Sequence, residues 1–196
     1  MRVIAGTAKG RTLRSPRTGD TRPITDRAKE SLFAILGPRI PGSRFLDLFA
    51  GTGSVGIEAL SRGAAHVTFV EQDPRARGLI AENLSRCGLL MTGIRAASRD
   101  EAGKGDGYTI ERGSAEDVLS RLEPVYDVVF LDPPYDEPDL AGAVTLGVGL
   151  LTAGGICVLE HASRRAAPDA AGAPPARRLA SGDSALAFYL GPAEGR

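Results

Sequence analysis

Strand-length apolar runs alternate with helical stretches along most of this 196-residue chain, and that rhythm limits how it can fold. The runs are Arg44–Phe49, His66–Val70, Tyr108–Arg112, Asp127–Leu131 and Gly155–Glu160. Between them fall Val55–Arg62, Pro74–Cys87, Ala115–Leu122 and Leu140–Leu151. Pro74 suits a first helical turn, Gly88 suits a position past a helix end, and Ser114 suits a cap. Parallel strands need crossovers of this length, and the helices then cover both faces of the sheet. The rhythm breaks at the end of the chain. Arg177–Ala180 and Ala185–Leu190 flank Ser181-Gly182-Asp183-Ser184, which reads as a hairpin turn and predicts a terminal antiparallel strand. At the front, Arg2–Ala5 and Arg11–Leu13 predict a small β-hairpin around Lys9-Gly10. Thr25 or Asp26 caps a helix through Leu36 with one apolar side. Thr92–Gly107 and Arg164–Arg177 read as mobile connections.

Charge is uneven along the chain. Residues 1–30 hold eight basic side chains and three acidic ones, a balance of +5 on a chain of net charge zero. A basic arm on an acidic body fits a polyanionic partner, with Arg2, Lys9, Arg11, Arg14, Arg22 and Arg27 as the candidate nucleic-acid contacts. The two cysteines, Cys87 and Cys157, form no Cys-x-x-Cys pair, so neither a disulfide framework nor a zinc site is expected. No metal is expected. No apolar run suits a signal peptide or membrane span, so a cytoplasmic location with no membrane partner is expected; a monomer is expected separately.

Phe45–Gly56 holds the cofactor signal. A strand runs into Gly51-Thr52-Gly53-Ser54-Val55-Gly56, a G-x-G-x-x-G loop opening a helix, and Glu71 ends the next strand. Dinucleotides and S-adenosylmethionine share this arrangement. Asp47, inside the strand, favours the second, because a carboxylate there repels a pyrophosphate but suits a ligand carrying an amino group and a sulfonium. Its alternative role is to hydrogen-bond loop amides. The expected cofactor contacts are Asp47 and the loop residues Phe49, Ala50, Gly51, Thr52 and Gly53. Glu71 and Gln72 at the second strand, and Ser114 and Ala115 after the third, complete the set with Asp132. Asp117 reads equally as an adenine-edge contact or a first-turn helix residue, and Asp73 as a helix start. His66 and His161 read as structural residues.

The chemistry is read from Asp132-Pro133-Pro134-Tyr135, which follows the buried run Asp127–Leu131. The lone pair of a base amino group is delocalised into the ring. Accepting hydrogen bonds from both its N–H bonds localises that pair and stabilises the developing charge. Asp132 accepts one, and the carbonyl of Pro133 accepts the other. Proline fixes the backbone and removes competing N–H donors. Tyr135 stacks on the base, a contact worth about 1–3 kcal/mol. Catalysis is then mainly alignment of nitrogen, methyl and sulfur. Glu160, ending a central strand, has a possible substrate role.

Four segments resemble the RsmD family of bacterial small-subunit rRNA methyltransferases. They are Arg2-Val3-Ile4-Ala5-Gly6 with Lys9-Gly10-Arg11; Thr21–Arg27 leading into Glu30-Ser31-Leu32-Phe33; Asp47–Gly53 with Glu58–Ala64; and Asp132–Tyr135. Ala5 departs from the family's expected glycine. The resemblance implies a Rossmann-like class I S-adenosylmethionine-dependent methyltransferase of α/β class. Its sheet would have seven strands, mostly parallel, with the last antiparallel. It implies methylation of guanine N2 at position 966 of 16S rRNA, in the small subunit or an assembly intermediate. It assigns residues 1–24 to an RNA-binding arm and 25–196 to the methyltransferase domain, with Thr25–Arg27 at the cofactor rim. The tetrapeptide alone leaves adenine N6 in DNA or RNA, or a glutamine amide, as alternative targets. A dinucleotide oxidoreductase and a non-catalytic RNA-binding module are the alternatives of another class.

Overall fold

The computed structural model describes residues 1–15, 24–89, 107–134 and 137–193. Seven strands form one sheet: β1 (Arg44–Leu48), β2 (His66–Glu71), β3 (Gly107–Arg112), β4 (Tyr126–Leu131), β5 (Leu151–Ala162), β6 (Arg177–Ser181) and β7 (Ser184–Leu190). Their order is β3-β2-β1-β4-β5-β7-β6. β1 to β5 pair in parallel, and β7 runs antiparallel to both its neighbours, β5 and β6. The terminal hairpin is thus an insertion, with the last strand lying between its predecessor and β5. Among the described residues five α-helices accompany the sheet: α1 (Asp26–Leu36), α2 (Ser54–Ser61), α3 (Pro74–Arg86), α4 (Ala115–Leu119) and α5 (Leu140–Gly149). Among the described residues no helix is long and apolar enough to cross a membrane.

Strand alternation divides the core in two. Phe45, Val128, Phe130, Ile156, Val158 and Phe188 pack with residues of α1, α2 and α3. Leu46, Leu48, Val129, Leu131, Cys157 and Leu159 pack with α4 and α5 on the other face. Each buried strand is apolar on both sides, as a sheet covered by helices requires. Cys87 and Cys157 are buried free thiols, and burial raises both pKa values, which disfavours the reactive thiolate.

Local chemistry sets the helix starts. Thr25, Asp73, Ser114 and Asp139 each cap a helix by accepting an amide two or three residues ahead. Asp117 is therefore a first-turn residue of α4. Gly56 lies where α2 crosses β2. A Cβ there would stand 2.3 Å from Phe69 Cε1 and 2.8 Å from Val67 Cγ1, so only glycine permits this approach.

Three expectations need correction. The predicted front hairpin shortens to one antiparallel bridge, Arg2–Thr12, beside which the Val3 amide donates to the Arg11 carbonyl at 2.9 Å and the Leu13 amide to the Met1 carbonyl at 3.1 Å. The segment remains ordered. Val3, Ala8 and Leu13 are buried in the same core as α1, and the Ile4 and Ala5 amides donate to Glu58. Helix α5 stops at Gly149, and β5 begins at Leu151 rather than Gly155, with a bulge opposite Tyr126–Val128. Arg164–Arg177, expected to be mobile, is tied down. The Tyr189 hydroxyl donates to the Pro168 carbonyl at 2.7 Å, and the Ala171 amide donates to Thr145 Oγ1 at 3.2 Å. Of Thr92–Gly107, only Gly107, which opens β3, lies among the described residues.

Candidate active site

A cavity of about 660 Å³ opens at the carboxyl ends of β1, β2, β4 and β5. The strand order reverses between β1 and β4, and such a switch point is where open α/β sheets bind ligands. The glycine loop and the Asp-Pro-Pro segment meet here. Phe49 to Thr52, Asp132, Pro133 and Pro134 all line the same space. The Asp132 amide continues the β4–β1 ladder by donating to the Leu48 carbonyl at 3.4 Å, which fixes the tetrapeptide beside the loop.

The loop bends sharply out of β1. Phe49 at φ 60°, Gly51 at φ 55° and Gly53 at φ 76° occupy the left-handed region within five residues. Glycine does so freely, whereas Phe49 is strained, a feature that clusters at ligand sites. Asp47 is buried and accepts from the Gly56 amide at 2.9 Å. That amide belongs to the first turn of α2, where a phosphate-binding loop would receive its anion. The loop-amide role read as the alternative for Asp47 is thus present in the fold. Burial, reinforced by the charge of Glu71 and opposed by the Gly56 hydrogen bond, pushes the Asp47 carboxyl up to about 8.

Glu71 accepts from the Gly51 amide at 2.8 Å and from the Asp73 amide at 2.8 Å, one on each oxygen. Each carboxylate oxygen has a second lone pair, so two ribose hydroxyls can still be accepted. Ser114 and Ala115 line the opposite wall at the start of α4.

Asp132 is half-buried, and its pKa is raised well above the ordinary carboxylate value by burial, by a hydrogen bond with Glu160 and by the charges of Glu160 and Asp47. The Pro134 carbonyl accepts from the Glu137 amide at 3.0 Å. The Pro133 carbonyl meets no such donor among the described residues.

The electrostatics of the cavity discriminate between ligands. Eight carboxyl groups line it: Asp47, Glu71, Asp73, Glu116, Asp132, Glu137, Asp139 and Glu160. No lysine, arginine or histidine lines it among the described residues. A pyrophosphate would have no counter-charge here, whereas a sulfonium and an ammonium would be stabilised. The residues present thus fit S-adenosylmethionine and disfavour a dinucleotide.

Nearly every expected cofactor residue lines the cavity. Gly53 does not, but it is the N-cap of α2 directly behind the loop. Tyr135 lies outside the described residues. Of the proposed nucleic-acid contacts, Arg2, Lys9, Arg11, Arg14 and Arg27 are exposed, and Arg22 lies outside the described residues. Several lining residues carried no sequence signal. Leu146 is a simple apolar residue, and Glu137 and Asp139 follow the prolines without a motif. Asp73, read as a helix start, is both the cap of α3 and a lining residue.

This sheet order, glycine loop and Asp-Pro-Pro segment define a Rossmann-like class I methyltransferase. The chain belongs to the family described as Conserved hypothetical protein 95, the RsmD family, whose model matches residues 1–190. It is similar to YlbH of Bacillus subtilis, with 40% identity over 174 residues and 88% of each chain covered. Ribosomal RNA small subunit methyltransferase D of Haemophilus influenzae is 39% identical over 137 residues, which are 69% of this chain and 64% of that one. The chain thus spans just under two thirds of that relative. Among solved structures, Escherichia coli yhhF superposes with a TM-score of 0.78 at 29% identity, covering 99% of each chain. The Thermus protein TTHA0928 does so with a TM-score of 0.74 at 31% identity, covering 96% of this chain and 98% of that one.

Proposed function

We propose that this chain transfers a methyl group from S-adenosylmethionine to the exocyclic N2 of a guanine in small-subunit rRNA, at position 966 of 16S rRNA. It would act as a cytoplasmic monomer on the assembling or assembled subunit. The observation that carries the reading is the meeting of Asp132 and Pro133 with the glycine loop in one cavity lined by carboxyl groups and, among the described residues, by no basic side chain. The names of the relatives supply the RNA class.

The cofactor supplies a methyl group already activated on a sulfonium. Glu71 holds the ribose. Asp47 and the loop amides receive the methionyl end, and Ser114 and Ala115 border the adenine. Asp132 and the Pro133 carbonyl accept the two N–H bonds of the guanine amino group, which turns its lone pair toward the methyl group. Tyr135 stacks on the base. Residues 1–24 form the RNA-facing arm, with the exposed Arg2, Lys9, Arg11, Arg14 and Arg27 gripping phosphates. Arg22 is assigned the same role.

Tritiated-methyl transfer to small subunits lacking the modification, to naked rRNA and to DNA tests this directly, with the labelled nucleotide mapped. Label on guanine N2 of the subunit rRNA is expected. Label on adenine, on DNA or on no nucleic acid refutes the reading. Asp132→Ala is expected to bind the cofactor normally and to lose at least about a hundredfold in turnover, the scale of one transition-state acceptor. Unchanged turnover would remove Asp132 from the mechanism.

A further inference from the structure

The register of the sheet brings a second carboxyl group to the substrate end of the cavity. Leu131 of β4 pairs with Leu159 of β5, so Asp132 and Glu160 are the next residues on neighbouring strands. Both line the cavity, and after burial it is Glu160, by hydrogen bonding and charge, that raises the Asp132 pKa most. Glu160 is only 5% exposed, so water does little to screen its carboxyl.

Two ionised carboxylates have no donor between them, so a hydrogen bond linking them requires one shared proton. With that proton held between one oxygen of each carboxyl, the other oxygen of Glu160 stays a free acceptor. Asp132 keeps a second acceptor oxygen, and the Pro133 carbonyl is a third. The cavity end thus presents three acceptors side by side. Guanine presents three matching donors along one edge: N1–H and the two N2–H bonds. Adenine places a bare nitrogen lone pair where guanine has N1–H, and that lone pair would face the Glu160 carbonyl oxygen.

We propose that Glu160 reads the N1–H of the target base, so that the Asp132–Glu160 pair determines the choice of guanine. This rests on the guanine-N2 reading above and adds a specificity residue to it. The same pair accounts for the proton. The N2 lone pair forms a bond to the methyl carbon, the carbon–sulfur bond breaks and its electron pair stays on sulfur. N2, now cationic, passes a proton to Asp132. The pair then holds two protons and returns one to solvent as product leaves. Burial and the neighbouring Glu160 raise the Asp132 pKa, which makes it a better acceptor than an ordinary aspartate.

The test compares a target guanine with 2-aminopurine, which keeps the amino group but lacks N1–H, in otherwise identical small subunits. The wild-type protein is expected to prefer guanine in kcat/KM by about tenfold or more, the scale of one buried hydrogen bond. In Glu160→Ala the preference is expected to fall to within about threefold. Glu160→Gln, whose amide donates to Asp132 and accepts from N1–H, keeps it. The same ratio read as dissociation constants, with the unreactive thioether product bound, is independent of turnover. A Glu160→Ala protein that slows on both bases but keeps the wild-type preference overturns the inference. So does loss of preference in Glu160→Gln, which stays decisive if the alanine variant fails to fold. A wild-type protein that ignores both bases and methylates adenine overturns the guanine reading itself.

Discussion

Asn83 is the residue whose replacement tests most sharply how the front of the chain is joined to the cofactor loop. It lies on α3, fully buried, and makes three hydrogen bonds. Its amide nitrogen donates to the Arg14 carbonyl at 3.1 Å and to the Thr52 carbonyl at 3.0 Å. Its oxygen accepts from the Arg14 amide at 2.7 Å. One side chain thus clamps the basic segment and the glycine loop together. In Asn83→Ala, water reaches the partly exposed Arg14 groups, which loses about 1 kcal/mol or less for each bond. The Thr52 carbonyl is buried and stays unpaired, which costs about 1–3 kcal/mol. The sum is about 3 kcal/mol, or a fall of about 6–12 °C in the melting midpoint for a domain of this size. Circular dichroism melting measures this, and calorimetry measures the cofactor dissociation constant, expected to weaken because Thr52 lines the cavity. Asn83→Leu fills the volume without making the bonds, so it should recover part of the midpoint but none of the affinity. If Asn83→Leu matches wild type in both, the hydrogen bonds carry nothing and the clamp does not exist.

Three further outcomes follow from the site. Glu71→Ala should weaken cofactor binding by about 1–3 kcal/mol, the range for hydrogen bonds to a charged group; an unaltered calorimetric constant would refute the ribose role. The Asp47 carboxyl rises from an ordinary value of 3.8 to about 8 in the fold, so it favours the folded state when protonated. That contribution is complete below pH 4 and is lost as pH rises through about 8, so the free protein should lose stability over this window. A cationic ligand favours the ionised form, so cofactor affinity should rise over the same window, by up to about tenfold per pH unit, with proton release. The same slope in Asp47→Asn would assign the effect elsewhere. Charge reversal at Arg11 and Arg14 should weaken RNA binding and lower its salt slope by about two. Arg14 also pairs with Glu82 at 2.9 Å, but that pair is exposed and is worth about 1 kcal/mol or less. An unchanged slope would show that the arm does not grip the RNA.

Part of this site is legible in residue order because local chemistry sets it. The Gly51–Gly53 bend needs left-handed backbone that glycine adopts freely, and the strand ending in Asp132-Pro133-Pro134 announces a rigid edge. Asp47 and Glu71 stand at fixed spacings from that loop, and Thr25 and Ser114 cap the helices they precede. These features depend on neighbours a few positions away, so they survive without knowledge of the fold. The helix and strand types follow similarly from apolar periodicity, although α5 and β5 meet at Gly149–Leu151 with no break that periodicity could show.

What pairs with what across the sheet depended on the tertiary structure. Asp132 and Glu160 are 28 positions apart, and only the parallel register of β4 and β5 makes them partners. Asn83 reaches Arg14 across 69 positions, and Glu58 takes the amides of Ile4 and Ala5 across more than 50. The last strand follows β6 in sequence but sits between β6 and β5. The amino-acid order determined the kinds of element, the glycine loop and the reactive edge, because those are local preferences. The fold decided which carboxyl groups meet in the cavity and which surface holds the front segment, because hydrogen bonding and charge act through space and not along the chain.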